Sequence, residues 1–301
     1  MQGYEERLKR AKSAIHDAES VLIGAGAGLS AAAGLTYSGK RFTDHFYDFI
    51  EKYGVEDMYS ATFYPFQTQE ELWAHWARHI DVNRYSQPAT QLYQDLLQLV
   101  QDKDYFVITT NVEGQFEKAG FLKNKIFEVQ GNYAYLQCAR GCHDKLYYNK
   151  EIVKEMVACT KDCRIPSHLI PKCPVCGDSM DVNLRKNNYF VQDGNWEQAK
   201  ACYDRWLEMS SRKRIVFLEL GVGFNTPGII RYPFEQMTCH NAKSTLIRMN
   251  KDFPLGFKEN ICRTVSFDEQ IQDVVDALTG ASLKNRCSDG GMAQKMKGRA
   301  L

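Results

Sequence analysis

Apolar positions along the chain recur in two alternating periods. From residue 4 to 20, Leu8, Ala11, Ala14, Ile15 and Ala18 fall at helical spacing, and the run Val21-Leu22-Ile23 after them reads as a buried strand. The alternation returns with a helix over 89–100, carrying leucines at 92, 96, 97 and 99, then a strand over 105–110 and a short strand over 126–129. It resumes with a helix over 195–209, strands over 214–220 and 244–249, and a last helix over about 267–278. Helices alternating with continuously apolar strands predict a parallel sheet covered on both faces, an α/β fold of doubly wound, Rossmann-like type.

Two segments break the pattern. The stretch 43–88 is rich in aromatics (Phe46, Phe49, Tyr53, Trp73 and Trp76 among them) with helical spacing over 69–79, and predicts a helical insertion whose rings serve as core filler against the first domain. The stretch 137–188 holds Cys, Lys and Pro with little periodicity, which suits a small module stapled by metal instead of a core. The predicted organisation is a discontinuous domain, 1–136 with 189–283, a module at 137–188, and a frayed basic tail at 284–301 expected to be mobile.

Composition narrows the function classes. With 38 basic against 37 acidic side chains the net charge is +1, so no general electrostatic attraction draws the chain to nucleic acid or to a membrane surface. The charged start Met1-Gln2-Gly3-Tyr4-Glu5-Glu6-Arg7 does not read as a secretory signal, no stretch approaches the length of a membrane span, and a cytoplasmic protein is expected. Ten cysteines in a reducing compartment point to metal before disulfides. Cys138/Cys142 and Cys173/Cys176 form a C-x3-C and a C-x2-C pair, the spacing of a four-thiolate structural zinc site. Cys159/Cys163 is a competing pair that could replace one of them.

The strongest candidate chemistry follows the first strand. In Gly24-Ala25-Gly26-Ala27-Gly28-Leu29-Ser30 an apolar strand runs into glycines that let backbone N–H groups approach a phosphate, and Ala31-Ala32-Ala33 continue as a helix. The spacing misses G-x-G-x-x-G, and a tight turn without a ligand is the competing reading.

Gly26-Ala27-Gly28-Leu29-Ser30-Ala31-Ala32-Ala33-Gly34-Leu35 resembles the GAGxSxxxGI signature of the sirtuins, and Thr109-Thr110-Asn111-Val112-Glu113-Gly114 resembles their TQNIDG motif. Gly221-Val222-Gly223 stands where they have GTS, and Asn250 where a strand ends in Ile-x-Asn. The likeness spans roughly residues 5–280 and implies NAD as co-substrate, bound in the cleft between the sheet and the zinc module. It assigns Gly26, Ala27, Gly28, Ser30, Phe42, Asn111, Gly221, Val222, Gly223 and Asn250 to the cofactor.

The departures from the pattern are equally informative. Thr36-Tyr37-Ser38-Gly39-Lys40-Arg41-Phe42 replaces the deacylase Pro-Asp-Phe-Arg, and Gln130-Gly131 stands where deacylases have His-Gly. This resembles the macrodomain-linked, class M sirtuins of microbial pathogens. That branch implies protein ADP-ribosylation of a lipoylated carrier related to the glycine-cleavage H protein, a partner macrodomain hydrolase, and a tie to oxidative stress. Gln130 can orient a ribose hydroxyl but cannot take its proton, and loss of a general base costs about 10²–10⁴ in rate, or roughly 3–5.5 kcal/mol of barrier.

Transfer to a side chain needs no such step, so the expected catalytic set is Asn111, Gln130 and Arg185. Arg185 positions Gln130 or a negatively charged acceptor, or is a solvated surface residue. Glu113 is a candidate base or a structural acceptor. The expected activity is NAD-dependent protein ADP-ribosyl transfer; the alternatives are an NAD-dependent lysine deacylase with a displaced base and an inactive NAD sensor.

Overall fold

A computed structural model describes residues 3–280. The predicted tail at 284–301 lies outside the described residues. Among the described residues nine strands form two sheets: β1 (Ser20–Ala25), β2 (Asp104–Thr109), β3 (Ile126–Glu128), β4 (Gly131–Cys138), β5 (Tyr147–Tyr148), β6 (Met180–Leu184), β7 (Ile215–Leu220), β8 (Thr245–Met249) and β9 (Thr264–Phe267). The larger sheet has the order β3-β2-β1-β7-β8-β9 and every pair in it is parallel.

β1 and β7 are buried along their whole length because helices cover both faces, which is why their sequences read as apolar runs. The strand order reverses beside β1, and open sheets of this kind take ligands at that point, beyond the carboxyl ends of the strands. A Cβ on Gly24 would lie 2.4 Å from Ile230 and 2.6 Å from Phe234, so this strand position admits no side chain beneath the helix Arg231–His240.

The smaller sheet, β5-β4-β6, is antiparallel. It does not stand without a core. Leu136, Val182 and Met156 share one apolar cluster with Phe42, Phe46, Phe49, Trp73 and Trp76 from the helices Lys40–Tyr53 and Gln69–Ile80. The aromatic insertion, expected against the first domain, therefore packs with the cysteine-bearing sheet. Thr68 and Glu71 cap the helix Gln69–Ile80 reciprocally at its N-terminus.

Two further differences from the sequence reading concern the last third of the chain. The helix expected from about 267 begins at Ile271, because Thr264–Phe267 pairs with β8 as an edge strand. The helix Arg231–His240 has no counterpart in the predicted pattern; its Pro233 lies in the first turn, where a missing N–H costs nothing. Among the described residues no helix is long and apolar enough to cross a membrane.

Gly24→Ala is expected to lower stability by about 1–3 kcal/mol through overpacking. Chemical denaturation monitored by tryptophan fluorescence checks this, and an unchanged midpoint would show that the helix over β1 can move.

Candidate functional site

The glycine loop does something other than offer all its amides to a ligand. Gly26 N–H donates to Leu220 C=O at 3.0 Å and Gly28 N–H to Gly221 C=O at 2.9 Å, so two of the expected donors join the end of β1 to the end of β7. A Cβ at Gly26 would sit 2.8 Å from the Gly221 oxygen and one at Gly28 2.7 Å from the Gly221 Cα. These glycines let the two loops touch; Gly221 itself is left-handed at φ +60°. Ala27, at the first position of the short helix Ala27–Ala32, has an N–H with no partner inside the helix.

Behind this loop lies a buried polar cluster. Asn111 Nδ2 donates to Gly26 C=O at 3.0 Å, Ser30 Oγ at 3.0 Å and Tyr93 Oη at 3.3 Å. With the amide nitrogen so committed, the Asn111 Oδ1 is left to accept from a ligand. Ser30 Oγ donates to Glu113 Oε1 at 2.6 Å, Tyr93 Oη donates to the same oxygen at 3.2 Å, and Val112 N–H donates to Oε2 at 3.1 Å. Both Glu113 oxygens are thus engaged, and the residue is a structural acceptor in this arrangement. Tyr93 was not anticipated; its signal in the sequence is one hydroxyl-tipped ring among the leucines of its helix, and burial against Glu113 raises its pKa well above the usual value.

Gln130 sits on the two-residue connection between β3 and β4, half-buried, with no hydrogen bond from its side chain among the described residues. Arg185 N–H donates to its carbonyl at 3.0 Å, continuing the antiparallel β4–β6 pairing in which Gly131 stands opposite Leu184. The Arg185 guanidinium lies over the rings of Phe190 and Trp196, 4.5 and 5.8 Å from their centroids.

The remaining expected contacts divide. Asn250 Nδ2 donates to Val222 C=O at 2.8 Å, while its Oδ1 accepts from the N–H groups of Asp252 and Phe253, so it ties the loops after β7 and β8 to each other. Val222 is buried; Gly223 has open space at its Cα. Phe42 is 2% exposed and stacked on Phe46 in the core of the smaller lobe, its ring turned inward by the rotation of its helix.

A charged cluster supports the β8 loop from below. Arg248 on β8 pairs with Glu219 on β7 and with Glu235, each at 2.8 Å, and Arg231 pairs with Glu219 at 3.3 Å. The two guanidiniums also donate to the carbonyls of Phe253 and Leu255.

The sulfurs of Cys138, Cys142, Cys173 and Cys176 all lie within 4.8 Å of one another, with Cys138–Cys176 and Cys142–Cys173 at 3.7 Å. Four thiolates at about 2.3 Å from a tetrahedral zinc ion stand about 3.8 Å apart, so the donor set and spacing fit that metal. No ligand position is left open for catalysis. Cys159 and Cys163 are outside the cluster, and Cys163 is buried in the shared core.

The Sir2 family profile matches residues 26–210. A protein ADP-ribosyltransferase of Staphylococcus aureus is 37% identical over 90% of this chain and 87% of its own length. A probable bifunctional ADP-ribose hydrolase/ADP-ribosyltransferase of Fusarium oxysporum is 32% identical over 80% of this chain, which spans 42% of that protein. An NAD-dependent protein deacylase of Thermus thermophilus is 23% identical over 66% of this chain and 70% of its own length. The fold is that of a Sir2 homologue mutant solved with 2'-O-acetyl ADP ribose, at a TM-score of 0.59 and 16% identity, covering 96% of this chain and 99% of that one.

Cys173→Ser is expected to reduce bound zinc from about one equivalent to near zero and to lower the melting temperature, because the cluster is continuous with the shared core. Elemental analysis with a thermal melt checks both; full zinc retention would move the metal to another ligand set.

Proposed function

The chain belongs to the Sir2 family, and on that premise we propose that it is an NAD-dependent protein ADP-ribosyltransferase, moving ADP-ribose from NAD to a protein side chain with release of nicotinamide. The observation that carries this reading is the Gln130 turn. All seven histidines stand elsewhere: His75 and His79 are buried in the smaller lobe, His143 is beside the cysteine cluster, and His16, His45, His168 and His240 are exposed. Glu113 is committed to Ser30, Tyr93 and Val112. None of the turn residues Val129, Gln130 and Gly131 can take the proton that deacylation must remove from a ribose hydroxyl.

When bound, NAD supplies an electrophilic anomeric carbon as its nicotinamide bond breaks. The chain's part is to hold and orient. Asn111 Oδ1, aimed by the contacts of its two Nδ2 hydrogens with Gly26, Ser30 and Tyr93, accepts from a hydroxyl or amide of the bound molecule; Gln130 orients a ribose hydroxyl; Arg185, held over two rings beside Gln130, attracts a negatively charged acceptor. Gly26, Ala27, Gly28, Ser30, Gly221, Val222, Gly223 and Asn250 form or brace the cofactor wall.

The names of the Staphylococcus and Fusarium relatives support transfer, and the second of them joins it to an ADP-ribose hydrolase, the kind of partner that reverses the product. The reading includes a lipoylated, glycine-cleavage H-like acceptor, a macrodomain partner, a link to oxidative stress and action in the cytoplasm. A second reading, lysine deacylation, is favoured by the fold shared with the 2'-O-acetyl ADP ribose complex and by the relative named a deacylase.

The test incubates the protein with labelled NAD, a lipoylated H-like carrier and an acyl-lysine peptide. Label on the carrier, reduced on the order of 10²-fold by Asn111→Ala and lost in Gln130→Ala, is the expected result. Peptide deacylation without label overturns it in favour of the second reading, and NAD binding with neither product indicates a sensor.

A further inference from the structure

The turn that carries Gln130 is tied down from several sides. Gly131 is left-handed at φ +97°, and a Cβ there would lie 2.1 Å from the Asn183 carbonyl oxygen of β6. Across the turn, Asn132 Nδ2 donates to Glu128 Oε2 at 2.5 Å. The other end of the Asn132 amide accepts from Ala134 N–H at 2.8 Å, which prevents it from swinging away. Glu128 and Asn132 thus close a side-chain clamp over residues 129–131.

The Glu128 carboxylate also lies among the charges of the loop that carries Asn111. Arg84 occupies the space a Cβ on Gly114 would need and pairs with Glu117 at 3.1 Å, while its buried Nη1 makes no hydrogen bond. Burial pushes the Glu128 carboxyl up to about 7; Arg84 and the Asn132 bond oppose that rise, and Glu117 and Glu113 add to it. These groups, from the turn after the helix Gln69–Ile80, the helix Gln115–Lys118, the Asn111 loop and β4, are the ones that face it.

We propose that Glu128 is a positioning residue for Gln130: its ionised carboxylate, acting through the Asn132 amide, fixes the turn that presents Gln130 to the cleft. The inference rests on the reading of Gln130 as part of the transferase site. Ionised, the carboxylate makes a charge-assisted bond to Asn132 and compensates Arg84; protonated, it holds both less firmly. The group is raised above the ordinary carboxylate range, so it loses its charge as pH falls through neutrality. Transfer is fast above that point and slow below it.

The test uses the zinc-loaded full chain with NAD, following nicotinamide release between pH 6 and 8 in the presence of the lipoylated carrier, and again with water as the acceptor. Release by the unmodified protein should drop about tenfold from pH 8 to 6, following one carboxyl near pH 7. Glu128→Gln should hold the low-pH rate across the whole range. In parallel, the side-chain amide NMR resonances of Gln130 and Asn132, assigned through Gln130→Ala and Asn132→Ala, should titrate together near pH 7 and stand still in Glu128→Gln.

Amide resonances that do not move in the unmodified protein overturn the proposal. So does a Glu128→Gln variant that keeps the pH dependence, or one that merely melts earlier with rates scaled equally at every pH. Amides that titrate as expected in a protein that releases no nicotinamide at any pH leave the clamp in place and overturn the transferase reading instead.

Discussion

The contact between Gly28 and Gly221 sets the geometry on which the rest of the site depends. Two backbones meet with no side chain between them, and the hydrogen bonds from Gly26 and Gly28 lock the ends of β1 and β7 at the point where the strand order reverses. Once that contact is made, the short helix after Gly26 can run only one way, and Ser30 arrives where Asn111 and Glu113 can both reach it. The site is therefore preorganised by backbone packing first and by polar side chains second.

The second lobe supplies what the sheet lacks. A parallel sheet ends in a shallow crevice, and the aromatic helices together with β4–β6 stand beside it as one packed body. Gln130, just before β4, and Arg185, just after β6, face each other where the β4–β6 pairing meets the end of β3. The metal cluster lies at the far end of the strands that bring them there, so its contribution to chemistry is the stiffness of β4 and β6.

Much of this was legible in the sequence, for physical reasons that differ from element to element. The strands at 20–25, 104–109 and 215–220 were readable because burial on both faces demands continuous apolar residues. The cysteine pairs were readable because a tetrahedral site constrains short-range spacing. Tyr93, Arg84 and the Glu219–Arg248 pair were not, because a buried polar residue declares itself only beside its partner, and Ser30 and Glu113 are 83 residues apart. The inward turn of Phe42 onto Phe46 was not legible, since a family likeness in the preceding loop says nothing about which way a helix is rotated. The edge strand β9, Thr264–Phe267, carries only two buried apolar residues, Val265 and Phe267, and so was absorbed into the helix that follows it.

The charge cluster beneath the β8 loop has a consequence for how the protein can change over time. Glu219, Glu235, Arg231 and Arg248 balance one another in a buried space, and the carbonyls of Phe253 and Leu255 lean on the two guanidiniums. Loss of any one of the four strands an opposite charge away from water, which is worse than loss of the whole set in exchange for well-packed apolar residues. These four positions are therefore bound to a common fate: descent can keep them together or replace them together, and single replacements among them are a barrier between the two solutions.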